Sequence, residues 1–411
     1  MFLKTITAAG AFALLGSTAM AGCGITAGNV SILSNDFPAI QAVTAAASAC
    51  AGDGVTVEAN LTKDHKDIMV AALTANPAQY SSVVVSNSTL VTLMNDGLLR
   101  PIDDLIAKHG ADLNKSQLIT VNGKAMAVAF MANAQHLFSR TDVLAKAGVE
   151  GIPATYEEVL AAAEKVRAAG LMEYPVALNT KAGWNLAEEF VNMYMGTGAD
   201  FFKAGTAEAS VNNENGVATL EMLKSLVSYS NPDFLTYDSN ATQAEWEAGN
   251  LAMAVMWGSR GGAVLDDEGS TAEVVAGTVL SAAPTWGNGA RPASTLWWDG
   301  IGISTNVSDE DAEATFIAMM NGITTDVVKA NNDAAVWLID GYTPSPASAG
   351  VSATAAGGAA PYPMVPFMGA MHTALGAEIT DFLQGTESAE QALADVEAAY
   401  TAAAKEQGFL K

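Results

Sequence analysis

Short apolar runs alternate along this chain with stretches in which apolar residues recur every three or four positions. The first pattern predicts strands at residues 30–33, 55–59, 82–86, 125–130, 175–178, 252–257 and 300–304, and the second predicts helices between them. Several helices carry start signals. Thr155-Tyr156-Glu157-Glu158 is a capping box two residues after Pro153, with Thr155 and Glu158 set to satisfy each other's backbone N–H. Ser388-Ala389-Glu390-Gln391 opens the last helix in the same way, and Ser308 with Asp311 resembles a third. Asn122-Gly123, between apolar residues 118–121 and 124–130, is a hairpin signal, because both types tolerate the positive φ of a type I′ turn. Strands alternating with helices predict an α/β fold of mostly parallel sheets covered by helices.

One apolar run is of another kind. Lys4 precedes an uncharged stretch from Ile6 to Leu15, followed by small residues ending in Ala19-Met20-Ala21. A cation, a short apolar middle and an Ala-x-Ala end predict a cleaved signal peptide over 1–21, hence work in the periplasm. The longest later uncharged stretch, 341–377, is broken by Pro344, Pro346, Pro361, Pro363 and Pro366. It reads as irregular polypeptide packed on a surface and not as a membrane span. The chain has 411 residues, which suits two domains of ordinary size.

The cysteines are Cys23 and Cys50. Met20-Ala21-Gly22-Cys23 also fits a lipoprotein signal with Cys23 acylated. A strand at 30–33 followed by a returning helix from Pro38 to Cys50 puts both thiols at one end of the sheet. The expectation is therefore a disulfide, with lipidation of Cys23 as its alternative.

Charge narrows the partners. With 44 acidic and 19 basic residues the net charge is −25. Such a surface repels nucleic acid and anionic lipid, and reads as a solvation trait.

Open α/β sheets bind ligands beyond the carboxyl ends of their strands. Those positions hold Asn35 and Asp36 after the first strand and Asn87 after the third. Trp184 follows the strand at 175–178; Trp257 and Arg260 close the one at 252–257. Indoles stack on the C–H face of a sugar ring, and amides and carboxylates take its hydroxyls, so the set suits a neutral polyhydroxyl ligand. Trp297-Trp298-Asp299-Gly300 is the most unusual cluster. Neighbours on a strand alternate faces, so one of its two indoles should reach a cleft. Trp246 and Trp337 lie in helical patterns and read as packing residues.

Catalytic signals are weak. The sequence has no Gly-x-Ser-x-Gly, His-Glu-x-x-His, P-loop or dinucleotide fingerprint, and no cofactor or metal is expected. Asp64-His65-Lys66-Asp67 reads as a solvated helix start. Glu188-Glu189 lies near a proposed ligand loop, but adjacent helical residues point about 100° apart and make a poor acid–base pair.

Four segments in order resemble the bacterial extracellular solute-binding proteins of the maltodextrin-binding-like family 1, which feed ABC importers. Residues 82–85 lead to Gly97-Leu98-Leu99-Arg100-Pro101-Ile102-Asp103, like the family's strand followed by Gly-Leu-Leu-x-Pro-Leu-Asp. Val121-Asn122-Gly123-Lys124 matches its hairpin, Pro153-Ala154-Thr155-Tyr156-Glu157-Glu158 its helix start, and Trp246-Glu247-Ala248-Gly249-Asn250-Leu251-Ala252-Met253 its Phe-x-x-Gly-x-Ala-Ala-Met. Leu137-Phe138-Ser139-Arg140 and Asn87 depart from the family pattern. The resemblance implies two lobes, 22–131 with 299–341 and 132–298 with 342–411, joined by three hinge crossings. It adds Trp298 and Asp299 at one crossing, and Asn133 and Gln135 just past another, to the candidate ligand residues. Trp184 and Trp298 are the expected stacking platforms. It also implies a monomer without catalytic activity, whose partners are a sugar and the transmembrane subunits of the permease. A charged solute as ligand, or an exported carbohydrate hydrolase, are the competing readings.

Overall fold

The computed structural model describes residues 22–411 apart from Asp53 and Asn288, so the expected signal peptide lies outside the described residues. The strands in chain order are β1 (Val30–Ser34), β2 (Val57–Leu61), β3 (Ser82–Ser86), β4 (Leu118–Val121), β5 (Lys124–Asn133) and β6 (Gln135–Arg140), then β7 (Val176–Ala177), β8 (Met253–Trp257), β9 (Thr278–Ser281), β10 (Thr295–Ile303), β11 (Val336–Trp337) and β12 (Ala360–Pro361). One sheet has the order β11-β5-β10-β3-β1-β2, with β4 added to β5 and β12 to β10; the other has the order β7-β8-β6-β9. Helices cover both, giving the α/β fold that the alternation predicts and the two lobes that the family resemblance implies.

Inside each lobe the expectation of mostly parallel sheets is corrected: both sheets are mixed. β1 pairs in parallel with β2 and β3, but β10 runs antiparallel to both β3 and β5. In the second sheet β6 is antiparallel to β8 and β9, and only β7 and β8 run parallel. A parallel neighbour needs a crossover helix within its own sheet. β10 and β6 arrive from the other sheet, so that constraint does not apply to them.

The passage between sheets is short. β5 ends at Asn133 in the first sheet and β6 begins at Gln135 in the second, so Ala134 alone separates them, fully buried. The chain returns between β9 and β10.

Local chemistry explains the elements. The β4–β5 hairpin closes with Val121 paired to Lys124, and Asn122 and Gly123 take φ of 51° and 74°. Thr155 Oγ1 accepts from the Glu158 N–H at 3.1 Å, and the Glu158 carboxylate accepts from the Thr155 N–H at 3.3 Å. Ser308 caps the Asp311 N–H at 3.0 Å. The Ser388 box is only half made: its hydroxyl accepts from the Gln391 N–H, but the Gln391 amide turns to Asp395. Residues 341–377 are more helical than expected, holding the helix Ala349–Ala356 and the start of Met368–Gln384. Among the described residues no helix is long and apolar enough to cross a membrane.

Ile32, Ile40, Val43, Phe316 and Met319 centre the core of the first lobe; Phe190, Tyr194, Leu220 and Leu375 centre that of the second. Trp246 is buried in a helix, while Trp337 packs from β11 and not from a helix. Cys23 is bonded to Cys50, with Cα atoms 5.1 Å apart, as the strand–helix return predicts.

Candidate functional site

The carboxyl ends of the strands meet at a cavity of about 320 Å³ between the two sheets. Ser34 at the end of β1 with Asn35 after it, the Asp64–Asp67 segment after β2, Ser86 at the end of β3 and Asp299 on β10 form one wall. Trp184 and Asn185 at the start of the helix Trp184–Gly196, and Trp257, Ser259 and Arg260 at the end of β8, form the other. Gly183, at φ 93°, turns the chain so that Trp184 opens its helix at the cavity rim, a conformation that side chains rarely adopt.

Three indoles converge there. Trp184 and Trp257 lie 6.5 Å apart and 24° from parallel, and Trp297 meets both edge-on at 5.7 and 5.6 Å. His372 stacks on Trp184 at 4.8 Å. Its ring is fixed at both nitrogens, Nε2 against the Trp184 carbonyl and Nδ1 against the Tyr362 hydroxyl, each at 2.9 Å. A carbonyl only accepts, so Nε2 carries the proton and Nδ1 accepts from Tyr362. Burial pulls the His372 pKa down to about 3, consistent with a neutral ring.

The ionisable groups are unusual. The Lys66 ammonium sits 3.0 Å from the centroid of the Trp184 ring. Desolvation pulls its pKa down to about 7, against the opposing charges of Glu188, Asp299 and Asp67. Desolvation pushes Asp299 up to about 7, with Lys66 opposing. Glu188 and Glu189 are both pushed up to about 8 by burial. Neither lines the cavity. Glu188 accepts from Thr295 Oγ1 at 2.8 Å and from Trp297 Nε1 at 3.1 Å, while Glu189 accepts from the Asn179 N–H at 3.1 Å. The pair therefore fastens its helix to β10 and to the loop after β7.

Of the ten sequence candidates, Asn35, Asn133, Trp184, Trp257, Arg260 and Asp299 line the cavity. Asn133 does so while tied to Ser259, whose N–H it accepts at 3.2 Å and whose hydroxyl it contacts at 3.2 Å. The other four lie elsewhere. Asp36 faces a neighbouring recess and accepts from Gln41 at 2.7 Å. Gln135 is buried and accepts from Asn192 at 3.1 Å. Asn87 is buried and holds β10, accepting from the Trp298 N–H at 3.0 Å. Trp298 packs against the core around Leu33, Leu90 and Leu93. The alternation of a strand thus puts Trp297 and Asp299 on the cavity face and Trp298 on the other, and Trp297 takes the place expected of Trp298.

Lys66 was hidden in the segment expected to be a solvated helix start. That segment does open the helix His65–Thr74, but His65 is buried and Lys66 reaches the cavity. The carboxyl-edge rule extended to β2 finds both. Among the described residues no cluster of His, Cys, Asp and Glu suits a metal ion.

A family model described as bacterial extracellular solute-binding protein matches residues 34–323. The chain belongs to this family. A probable ABC transporter-binding protein of Deinococcus radiodurans is 28% identical over 211 residues, covering 47% of this chain and 49% of that relative. The match thus spans about half the length of that curated relative. Among solved structures, maltose-bound T. maritima MalE3 aligns with a TM-score of 0.79 at 16% identity, over 91% of this chain and 99% of its own. An ABC transporter solute-binding protein of Agrobacterium radiobacter K84 in complex with ribitol gives 0.80 at 20%, over 92% and 98%. One from Agrobacterium vitis S4 with bound D-mannitol gives 0.75 at 20%, over 92% and 99%. These likenesses establish the two-lobed fold of this solute-binding protein.

Proposed function

We propose that this solute-binding protein captures a neutral sugar or polyol between its lobes and delivers it to the transmembrane subunits of an ABC importer. The observation that carries the reading is the convergence of Trp184, Trp257 and Trp297 with Asp299, Asn35 and Ser259 on one cavity walled by both sheets. Indole faces take the C–H surfaces of such a ligand; the carboxylate, amide and hydroxyl take its hydroxyls. The structural neighbours with maltose, ribitol and D-mannitol support it.

The lobes are taken as 22–131 with 299–341 and 132–298 with 342–411. A ligand touching both walls stabilises the closed arrangement by the contacts it makes only there. The protein works as a monomer in the periplasm after loss of residues 1–21, and transforms no substrate. A second reading is an amino-bearing solute. It is favoured by Asp299, whose carboxylate lines the cavity and has no hydrogen-bond partner among the described residues.

Titration calorimetry and thermal melts with ribitol, D-mannitol, D-glucose, maltose and D-glucosamine test both. A ligand at a hundred times its Kd stabilises by about 2.7 kcal/mol, a clear shift in melting temperature. Binding confined to D-glucosamine supports the second reading; no heat and no shift with any of them defeats both.

A further inference from the structure

A second hollow, of about 870 Å³, lies beside the ligand cavity. Its walls are the helices His65–Thr74 and Asn87–Asn95 from one lobe and Met368–Gln384 and Ala389–Glu406 from the other. Two residues line both spaces, Lys66 and Trp184. These two also touch, ammonium to indole, at 3.0 Å. His372 covers Trp184 at 4.8 Å, a gap too narrow to hold an ammonium, so Lys66 lies on the opposite face. The boundary between the two spaces is therefore one side chain from the first lobe resting on one ring from the second.

We propose that Lys66, lying across Trp184, is the size-determining residue of this site: it is a partition that restricts the ligand to a single sugar ring or a linear polyol. The inference rests on the sugar or polyol reading and specifies it.

The arrangement of the two spaces supports it. The inner cavity, of about 320 Å³, lies at the small end of the range for small-molecule sites, and the larger hollow of about 870 Å³ adjoins it across Lys66 and Trp184. A second ring that continued from the inner cavity into the outer hollow would have to lie where Lys66 now lies. The outer hollow is chemically able to receive it, since Ser88, Thr92, Asn95, Asp96, Thr373 and Gln407 offer hydroxyl, amide and carboxylate groups. What separates it from the inner cavity is the partition and not a lack of suitable groups.

The partition is also a light one. Among the described residues the Lys66 ammonium has no hydrogen bond and no ion pair; it rests on the indole alone, on a flexible four-carbon stem. Shortening that stem joins the two spaces without removing a strut. The lobes still meet nearby, where Gly369 leaves room for Thr92: a Cβ there would stand 3.2 Å from its hydroxyl.

Calorimetry on the wild type, Lys66→Ala and Lys66→Met decides the matter, with D-glucose, D-mannitol and ribitol as small probes and maltose and trehalose as two-ring probes. The wild type is expected to bind at least one small probe tenfold or more tighter than either disaccharide. Lys66→Ala should narrow that gap at least tenfold, mainly by gaining the disaccharide. Lys66→Met, of similar length but uncharged, should keep it. Thermal melts confirm that both variants fold. A wild type that binds a disaccharide as tightly as the small probes overturns the inference, as does a Lys66→Ala that leaves the gap unchanged. Heat from none of the probes in any of the three proteins defeats the sugar reading itself, and the inference with it.

Discussion

The Glu188 carboxylate accepts the indole N–H of Trp297 at 3.1 Å, joining the helix that begins at Trp184 to the strand that carries Asp299. Its second oxygen is buried without a partner among the described residues, and burial pushes its pKa up to about 8. A carboxyl raised in the folded state contributes stability that is fully present below its unfolded pKa, near 4.5, and is lost as pH rises through the folded value. Glu188→Gln keeps the acceptor for Trp297 and cannot ionise. The melting temperature of this variant should therefore rise relative to wild type between pH 5 and pH 8. A difference that stays flat across that range contradicts the assignment.

Trp257 and Trp298 should behave as opposites. Trp257 is half-buried and lines the cavity, so losing its ring removes on the order of 50–100 Å² of ligand contact, about 1–3 kcal/mol at roughly 25 cal/mol/Å². Trp257→Ala should weaken ligand binding about 10- to 100-fold with a small loss of stability. Trp298 packs instead against Leu33, Leu90 and Leu93, so Trp298→Ala should cost about 2–4 kcal/mol of stability and leave affinity within about threefold. Affinity and chemical unfolding on the same preparations check both, and the reverse pattern would restore Trp298 as the platform.

The Cys23–Cys50 bridge spans 27 residues of sequence. In the chain-entropy account, closing such a loop is worth about 3 kcal/mol, so Cys23→Ser with Cys50→Ser should unfold at lower denaturant. Intact mass of exported protein should show both thiols oxidised. A lipid-sized addition at Cys23 would show that acylation takes the place of the bridge.

Closure should be visible in solution. Small-angle scattering with a bound ligand should give a smaller radius of gyration than without it, and identical curves would mean that the lobes do not move.

How much of this was legible beforehand depends on where side-chain direction is set. Thr155, Ser308 and Asn122-Gly123 act through bonds within four residues, so their motifs foretold the elements. The pattern around β6 hid its strand, because Gln135, His136, Ser139 and Arg140 are buried with their apolar neighbours and no alternation survives. Trp297 and Trp298 show a finer limit. Period two says that they face opposite ways, but which one faces the ligand depends on the register of β10 against β5, where Trp297 pairs with Asn133. Lys66 is the extreme case, since its significance comes from a ring 118 positions away.

The lone Ala134 between two sheets leaves the joint without slack. A tether of one buried residue, flanked by paired strands on either side, resists sliding and stretching far more than turning. The two halves then behave like the arms of a caliper, whose opening is a measure of whatever lies between them. A pair of dyes, one on each arm, would convert that opening into a distance, and the same molecule would serve as a gauge of ligand size.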